Sequence, residues 1–80
     1  MQRLEFTIEP FNEGDPGAHV TAPAAGLRGM GLDVEVGPFG SSCEVADEHA
    51  GDAVARIVRA AVEHGASHVS LHIERIGGDT

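Results

Sequence analysis

The chain has 80 residues with three Phe and neither Trp nor Tyr, so its own hydrophobic core is small and we expect copies to associate. Thirteen acidic residues against five arginines and no lysine give a formal charge of -8, which repels nucleic-acid backbones and anionic membrane surfaces. Cys43 is the only cysteine, which excludes an intrachain disulfide and a thiolate metal cluster.

The first predicted element is a strand near the N-terminus. Polar and apolar residues alternate over 3–9, and Pro10 ends the run. Turn formers are dense over 11–17 and predict a loop. The strand should therefore have one buried face and one polar face.

A helix is predicted after this loop. The spacing of Val20, Ala24 and Leu27 is helical, and Gly31 is placed to end the helix. Pro23 costs little if the helix begins near Thr21, but it interrupts a hydrogen bond if the helix begins near Pro16. We expect a frayed or bent helix.

A hairpin is predicted next. Apolar and acidic residues alternate over 32–36, and the apolar phase continues over 43–45. Between these strands, Gly37 and Gly40 allow positive φ angles, and Pro38 fixes the φ angle of one turn residue. The three residues indicate a tight reversal between the second and third strands.

A second helix and a last strand complete the chain. Asp47 is predicted to cap the helix with its carboxylate, and His64-Gly65 to end it. Alternation over 68–74 predicts the last strand. The predicted apolar stripe of the second helix consists of Val54, Ile57, Val58, Ala61 and Val62.

This order of elements predicts an α+β fold of the ferredoxin-like βαββαβ type. Right-handed crossovers place both helices on one face of a four-stranded antiparallel sheet with strand order 4-1-3-2. The fold should span 1–80 as a single domain, with a polar tail from about Gly77. The open face of the sheet should carry Arg3, Glu5, Thr7, Glu9, Asp33, Glu35, Ser42, Glu44, His68, Ser70, His72 and Glu74.

Three stretches resemble the family of small thiamine-binding proteins. Phe6-Thr7-Ile8-Glu9-Pro10 is similar to the opening strand of the family, which usually has Ser where Thr7 stands. Gly37-Pro38-Phe39-Gly40-Ser41-Ser42-Cys43-Glu44 resembles the signature Gly-Pro-Met-Gly-Thr-x-x-Glu, and Gly65-Ala66-Ser67-His68-Val69 resembles Gly-Ala-Asp-Arg-Val. The resemblance implies thiamine (vitamin B1) or its pyrimidine half as the ligand, bound near the signature turn in an oligomer, and no reaction.

The chemistry of the signature agrees with such a ligand. Glu44 can accept a hydrogen bond from the amino group of the pyrimidine and face the thiazolium cation, and Phe39 offers a ring for stacking. An ordinary loop and a solvated Glu44 are the alternatives. The candidate ligand-binding residues are Thr7, Gly37, Phe39, Ser41, Ser42 and Glu44.

Other function classes have weaker support in the sequence. It has no phosphate loop, no metal-ligand motif and no nucleophile beside a base, so we expect a binder that is not an enzyme. His68 and His72 share a strand face without a third ligand fixed by spacing, so we expect no tight zinc or nickel binding. A metal-binding domain stays an alternative, as does a structural or regulatory module.

The sequence also gives expectations about partners and location. No leader-like or bilayer-length apolar run is present, which predicts a soluble cytoplasmic protein. We expect a dimer or tetramer, with no nucleic-acid and no membrane partner.

Overall fold

A computed structural model describes residues 1–10, 17–38 and 40–77. The elements follow the predicted order, with one short 3₁₀ turn added before the second helix. They are β1 (Gln2–Glu9), α1 (Ala18–Gly29), β2 (Val34–Gly37), β3 (Gly40–Val45), the 3₁₀ turn (Asp47–His49), α2 (Ala50–Glu63) and β4 (His68–Arg75).

The four strands form one antiparallel sheet in the order β2-β3-β1-β4. The central strand β1 places Phe6 opposite Ser41 of β3 and opposite Leu71 of β4. The two helices pack against each other and share one hydrophobic core with a single face of the sheet. The predicted ferredoxin-like fold and strand order are confirmed.

The core lies between that face of the sheet and the helices. Alternate residues of β1 are buried, namely Leu4, Phe6 and Ile8, while the residues between them are more exposed. This is the one-sided pattern expected of a strand whose other face is open. From the helices the core receives Val20, Ala24, Leu27, Ala53, Ile57 and Ala61.

Helix α1 continues on both sides of Pro23, which is buried. Because the helix begins at Ala18, the proline lies beyond the first turn. The C-terminus is a Schellman motif, in which the amide of Leu32 donates to the carbonyl of Leu27 (3.2 Å) and the amide of Gly31 donates to Arg28 (2.9 Å). Gly31 has φ +88°, so its predicted role in ending the helix is confirmed.

The predicted helix cap at Asp47 is wrong. Asp47 begins the 3₁₀ turn, α2 begins only at Ala50, and neither start has a side-chain cap. The Asp47 carboxylate instead accepts hydrogen bonds from the amino group of Met1 (2.7 Å) and from Nε2 of Gln2 (3.1 Å). The bond from the Met1 ammonium lowers the pKa of Asp47 below its usual value.

Two apolar stripes differ from their predicted positions. In α2 the buried residues are Ala53, Ile57 and Ala61, whereas Val58 is 41% and Val62 63% exposed. In the second strand, which begins later than predicted, Val36 is exposed. The helix is therefore rotated about its axis, so that small alanines face the core.

Candidate functional site

The turn between β2 and β3 lies against the end of β1. Gly37 and Gly40 are opposite each other in the hairpin, and Gly40 has φ +152°. A Cβ atom on Gly40 would lie 3.1 Å from the carbonyl oxygen of Phe6 and 3.1 Å from Oγ1 of Thr7. Glycine at this position therefore allows the turn to approach β1 closely.

A cavity of about 320 Å³ lies beside this turn, and we call it the turn cavity. Apolar groups of Phe6, Ile8 and Val20 contribute to its wall, together with the polar side chains of Thr7 and Ser41. Its volume is at the lower end of the range found for small-molecule sites. The described residues that line it are Phe6, Thr7, Ile8, Glu9, Val20, Gly37, Pro38, Gly40 and Ser41.

Glu9 is the charged residue among the described residues that line the turn cavity. Its backbone is fixed because its carbonyl oxygen accepts from the amide (2.7 Å) and the hydroxyl (3.1 Å) of Ser67. Its carboxylate is exposed and lies 3.9 Å from Nδ1 of His68. Glu9 is not among the predicted ligand-binding residues, although it belongs to the stretch Phe6-Thr7-Ile8-Glu9-Pro10 that carries the family resemblance.

Three of the candidate ligand-binding residues lie together. Thr7, Gly37 and Ser41 all line the turn cavity, and Ser41 is buried on the helix side of the sheet. Phe39 lies outside the described residues. Ser42 points to the other face, as expected for its neighbouring position on the strand.

Ser42 borders a second cavity of about 430 Å³ on the open face of the sheet, which we call the open-face cavity. Thr7 lines both cavities. The described residues around the open-face cavity are Glu5, Phe6, Thr7, Gly40, Ser41, Ser42, Ser70, Leu71 and His72.

Glu44 lines neither of these cavities but a third one, of about 640 Å³, which it shares with Arg3 and Ser42. It is opposite Arg3 in the β1–β3 register, and its Oε2 is 3.7 Å from NH2 of Arg3. It is also three positions from Ser41 along β3, a distance of about 10 Å. The structure thus brings Glu44 together with Arg3 rather than with the turn.

Cys43 is a buried free cysteine. Burial raises the pKa of its thiol, so the thiol stays protonated and unreactive at neutral pH. Its burial agrees with the apolar phase predicted over 43–45. Within the described part of the chain, no helix is long and apolar enough to cross a membrane.

The fold and the turn cavity define a ferredoxin-like domain with a small-molecule-sized pocket beside its β2–β3 turn. The fold is similar to that of a domain of unknown function, DUF77, from Bacillus cereus, with a TM-score of 0.64 and 24% identity over 91% of this chain and 71% of that chain. It is also similar to a Streptococcus pneumoniae protein of known crystal structure, with a TM-score of 0.69 and 18% identity over 96% and 87% of the two chains. At these identities the likeness shows the fold alone. No family model matches the sequence, and no curated protein matches it.

Proposed function

We propose that this protein binds thiamine, or another ligand with an aminopyrimidine ring, in the turn cavity without transforming it. The observation that carries the proposal is that three of the candidate ligand-binding residues, Thr7, Gly37 and Ser41, line one cavity. The role is storage, hand-off or sensing of the ligand.

The size and lining of the cavity support a ligand with small aromatic rings. A volume of about 320 Å³ admits one or two such rings. The side chains of Phe6, Ile8 and Val20 offer apolar contact to the ring faces. The hydroxyls of Thr7 and Ser41 can bond to ring nitrogens at the edge.

The charge of the cavity supports a cationic or neutral ligand. Among the described lining residues Glu9 is the charged one, and the whole chain carries a formal charge of -8. The amino group of an aminopyrimidine can donate to this carboxylate, and the thiazolium of thiamine brings a fixed positive charge. In this proposal Glu9 takes the acceptor role that the chemistry of the signature suggested for Glu44.

Adjacent serines give a matched test of this site. Ser41 faces the turn cavity and Ser42 the opposite side of the sheet, so Ser41→Ala and Ser42→Ala remove the same hydroxyl from two faces. By titration calorimetry we expect saturable thiamine binding, and we expect Ser41→Ala to lower the affinity about fivefold. This factor corresponds to the loss of one hydrogen bond that contributes about 1 kcal/mol to the binding free energy. Ser42→Ala should stay within about twofold of wild type.

Two results would overturn the proposal. One is that wild-type protein is folded by circular dichroism yet shows no heat of thiamine binding up to about 1 mM ligand. A dissociation constant of that size corresponds to a binding free energy of about 4 kcal/mol. The other is equal loss of affinity in the two serine variants, which would assign the ligand to neither face.

We also propose that copies of the chain associate through β4 as a dimer or tetramer. This strand is the edge of the sheet on the β1 side, runs for eight residues, and exposes 48% of Ile73. A long edge strand has unpaired backbone groups that a second copy can satisfy.

Light scattering tests this association with a matched pair of edge variants. Ile73→Lys places a charge on β4, and Val36→Lys places the same charge on the opposite edge strand, where Val36 is 46% exposed. We expect wild type and Val36→Lys to be oligomeric and Ile73→Lys to be monomeric. A monomeric wild type at micromolar concentration would contradict the proposal.

A further inference from the structure

Three potential metal ligands meet on the open face of the sheet. One ligand atom each of Glu5, His72 and Glu74 lies within 4.8 Å of the other two. Glu5 is directly opposite His72 in the β1–β4 register, and Glu74 follows His72 by two positions and so shares its face. The backbone of two paired strands therefore places all three residues next to one another on one face.

The separation of these atoms can close around an ion. Ligands about 2.0–2.1 Å from a tetrahedral metal lie about 3.3 Å from one another. All three side chains are exposed, so a change of rotamer can bring atoms from within 4.8 Å to that distance. No movement of the backbone is needed.

We propose that Glu5, His72 and Glu74 bind a divalent transition-metal cation such as Zn²⁺. One imidazole nitrogen and two carboxylate oxygens form a donor set that suits zinc and its neighbours, whereas magnesium and calcium prefer oxygen alone. The two carboxylates carry two negative charges, which balance the charge of the ion. The net charge of the chain, -8, adds a long-range attraction.

The site leaves coordination positions open toward the sheet surface. Glu5 and His72 also border the open-face cavity, where Thr7, Ser42 and Ser70 present hydroxyl groups. A three-ligand zinc site completes its coordination with water or a small anionic or neutral ligand. That cavity, of about 430 Å³, has room for such a molecule.

Arg3 is the cation that competes for this site. Its NH1 lies 4.0 Å from Oε1 of Glu74, and its NH2 lies 3.7 Å from Oε2 of Glu44. Both pairs are long and exposed, and such pairs contribute little free energy. When an ion binds Glu74, the guanidinium keeps Glu44 as its partner.

His68 does not belong to this cluster, although it shares the face of β4 with His72. It is opposite Glu9 in the register, at the other end of β1, and its Nδ1 lies 3.9 Å from the Glu9 carboxylate. Residue spacing along the sequence did not identify further metal ligands for His72. In the structure they are Glu5 on the neighbouring strand and Glu74. The site is separate from the turn cavity and does not depend on thiamine binding.

Titration calorimetry with ZnCl₂ on untagged protein tests the proposal. We expect saturable binding in the micromolar range, with one ion per chain. His72→Ala and Glu5→Gln should each weaken it at least tenfold, since each removes one of three ligands. His68→Ala is the matched control, because it removes another exposed imidazole from the same face of the same strand, and it should bind zinc as wild type does.

Circular dichroism establishes that each variant is folded. No saturable zinc binding up to about 1 mM would overturn the proposal, as would unchanged affinity in His72→Ala or an equal loss in His68→Ala. A thiamine titration of His72→Ala separates the two sites. Its affinity for thiamine should equal that of wild type whether or not zinc binds.

Discussion

The turn cavity should distinguish thiamine from thiamine diphosphate by charge. Among its described lining residues, Glu9 is charged and no arginine is present. Two of the arginines elsewhere are engaged with other groups. Arg28 donates to the carbonyl of Val34 (2.9 Å), and Arg56 lies 3.6 Å from Asp52. A diphosphate therefore enters an acidic site without a cation to bind it.

The size of the effect follows from Coulomb's law. Two negative charges about 7 Å from the Glu9 carboxylate cost about 2.4 kcal/mol at an effective dielectric constant of about 40. Salt at physiological strength removes about half of this. The rest of the chain, with its formal charge of -8, adds further repulsion. We expect thiamine to bind at least tenfold more tightly than its diphosphate, a difference of about 1.4 kcal/mol.

Calorimetric titration of both ligands into wild type, Glu9→Gln and Glu44→Gln checks this prediction. Glu9→Gln should lower the affinity for thiamine. Since it removes the nearest charge, it should also reduce the ratio of the affinities for thiamine and its diphosphate to about threefold or less. Glu44→Gln is the matched control, because its carboxylate faces Arg3 and not the cavity. Equal affinities of wild type for the two ligands, or a larger effect of Glu44→Gln than of Glu9→Gln, would refute this reasoning.

Three further predictions concern stability and are measured by urea unfolding. Ile57→Ala should lower the free energy of unfolding by about 2–5 kcal/mol because Ile57 is fully buried. Val58→Ala on the exposed side should change it by about 0.5 kcal/mol or less. Gly31→Ala should lower the free energy of unfolding by about 1–2 kcal/mol because the φ angle of Gly31 is +88°. Gly26→Ala inside α1 should raise it by about 0.5–1 kcal/mol, since a Cβ added there would lie in open space. Asp47→Asn should destabilise near pH 6, and the difference should vanish as the pH falls through the lowered pKa of Asp47, because the protonated carboxyl no longer binds the Met1 ammonium.

Local patterns in the sequence were sufficient for most of the fold. Alternation identified the buried face of β1, and the helical spacing of Val20, Ala24 and Leu27 identified the buried face of α1. Gly31 marked the end of α1 because a left-handed residue is needed there. These features depend on residues close in sequence, which is why the sequence alone predicts them.

Predictions that depended on distant groups were less reliable. A carboxylate before a helix suggests a cap. Asp47 instead accepts a charge-assisted hydrogen bond from the Met1 ammonium, 46 positions away, which is stronger than a bond to a helix amide. In α2 the valines that form a regular stripe are partly exposed, because the face that enters the core is the one that carries Ala53, Ile57 and Ala61. Periodicity alone does not weigh side-chain size against a neighbouring element.

Strand register explains why the candidate site was predicted only in part. A period of two residues assigns each side chain to a face, so it placed Glu5, Glu44 and His72 correctly on the open side. It does not say which residues of neighbouring strands meet. That depends on the pairing of β1 with β3 and β4, which sets Arg3 against Glu44 and Glu5 against His72. The first pairing gives Glu44 a partner in Arg3, and the second brings Glu5 of β1 beside His72 and Glu74 of β4.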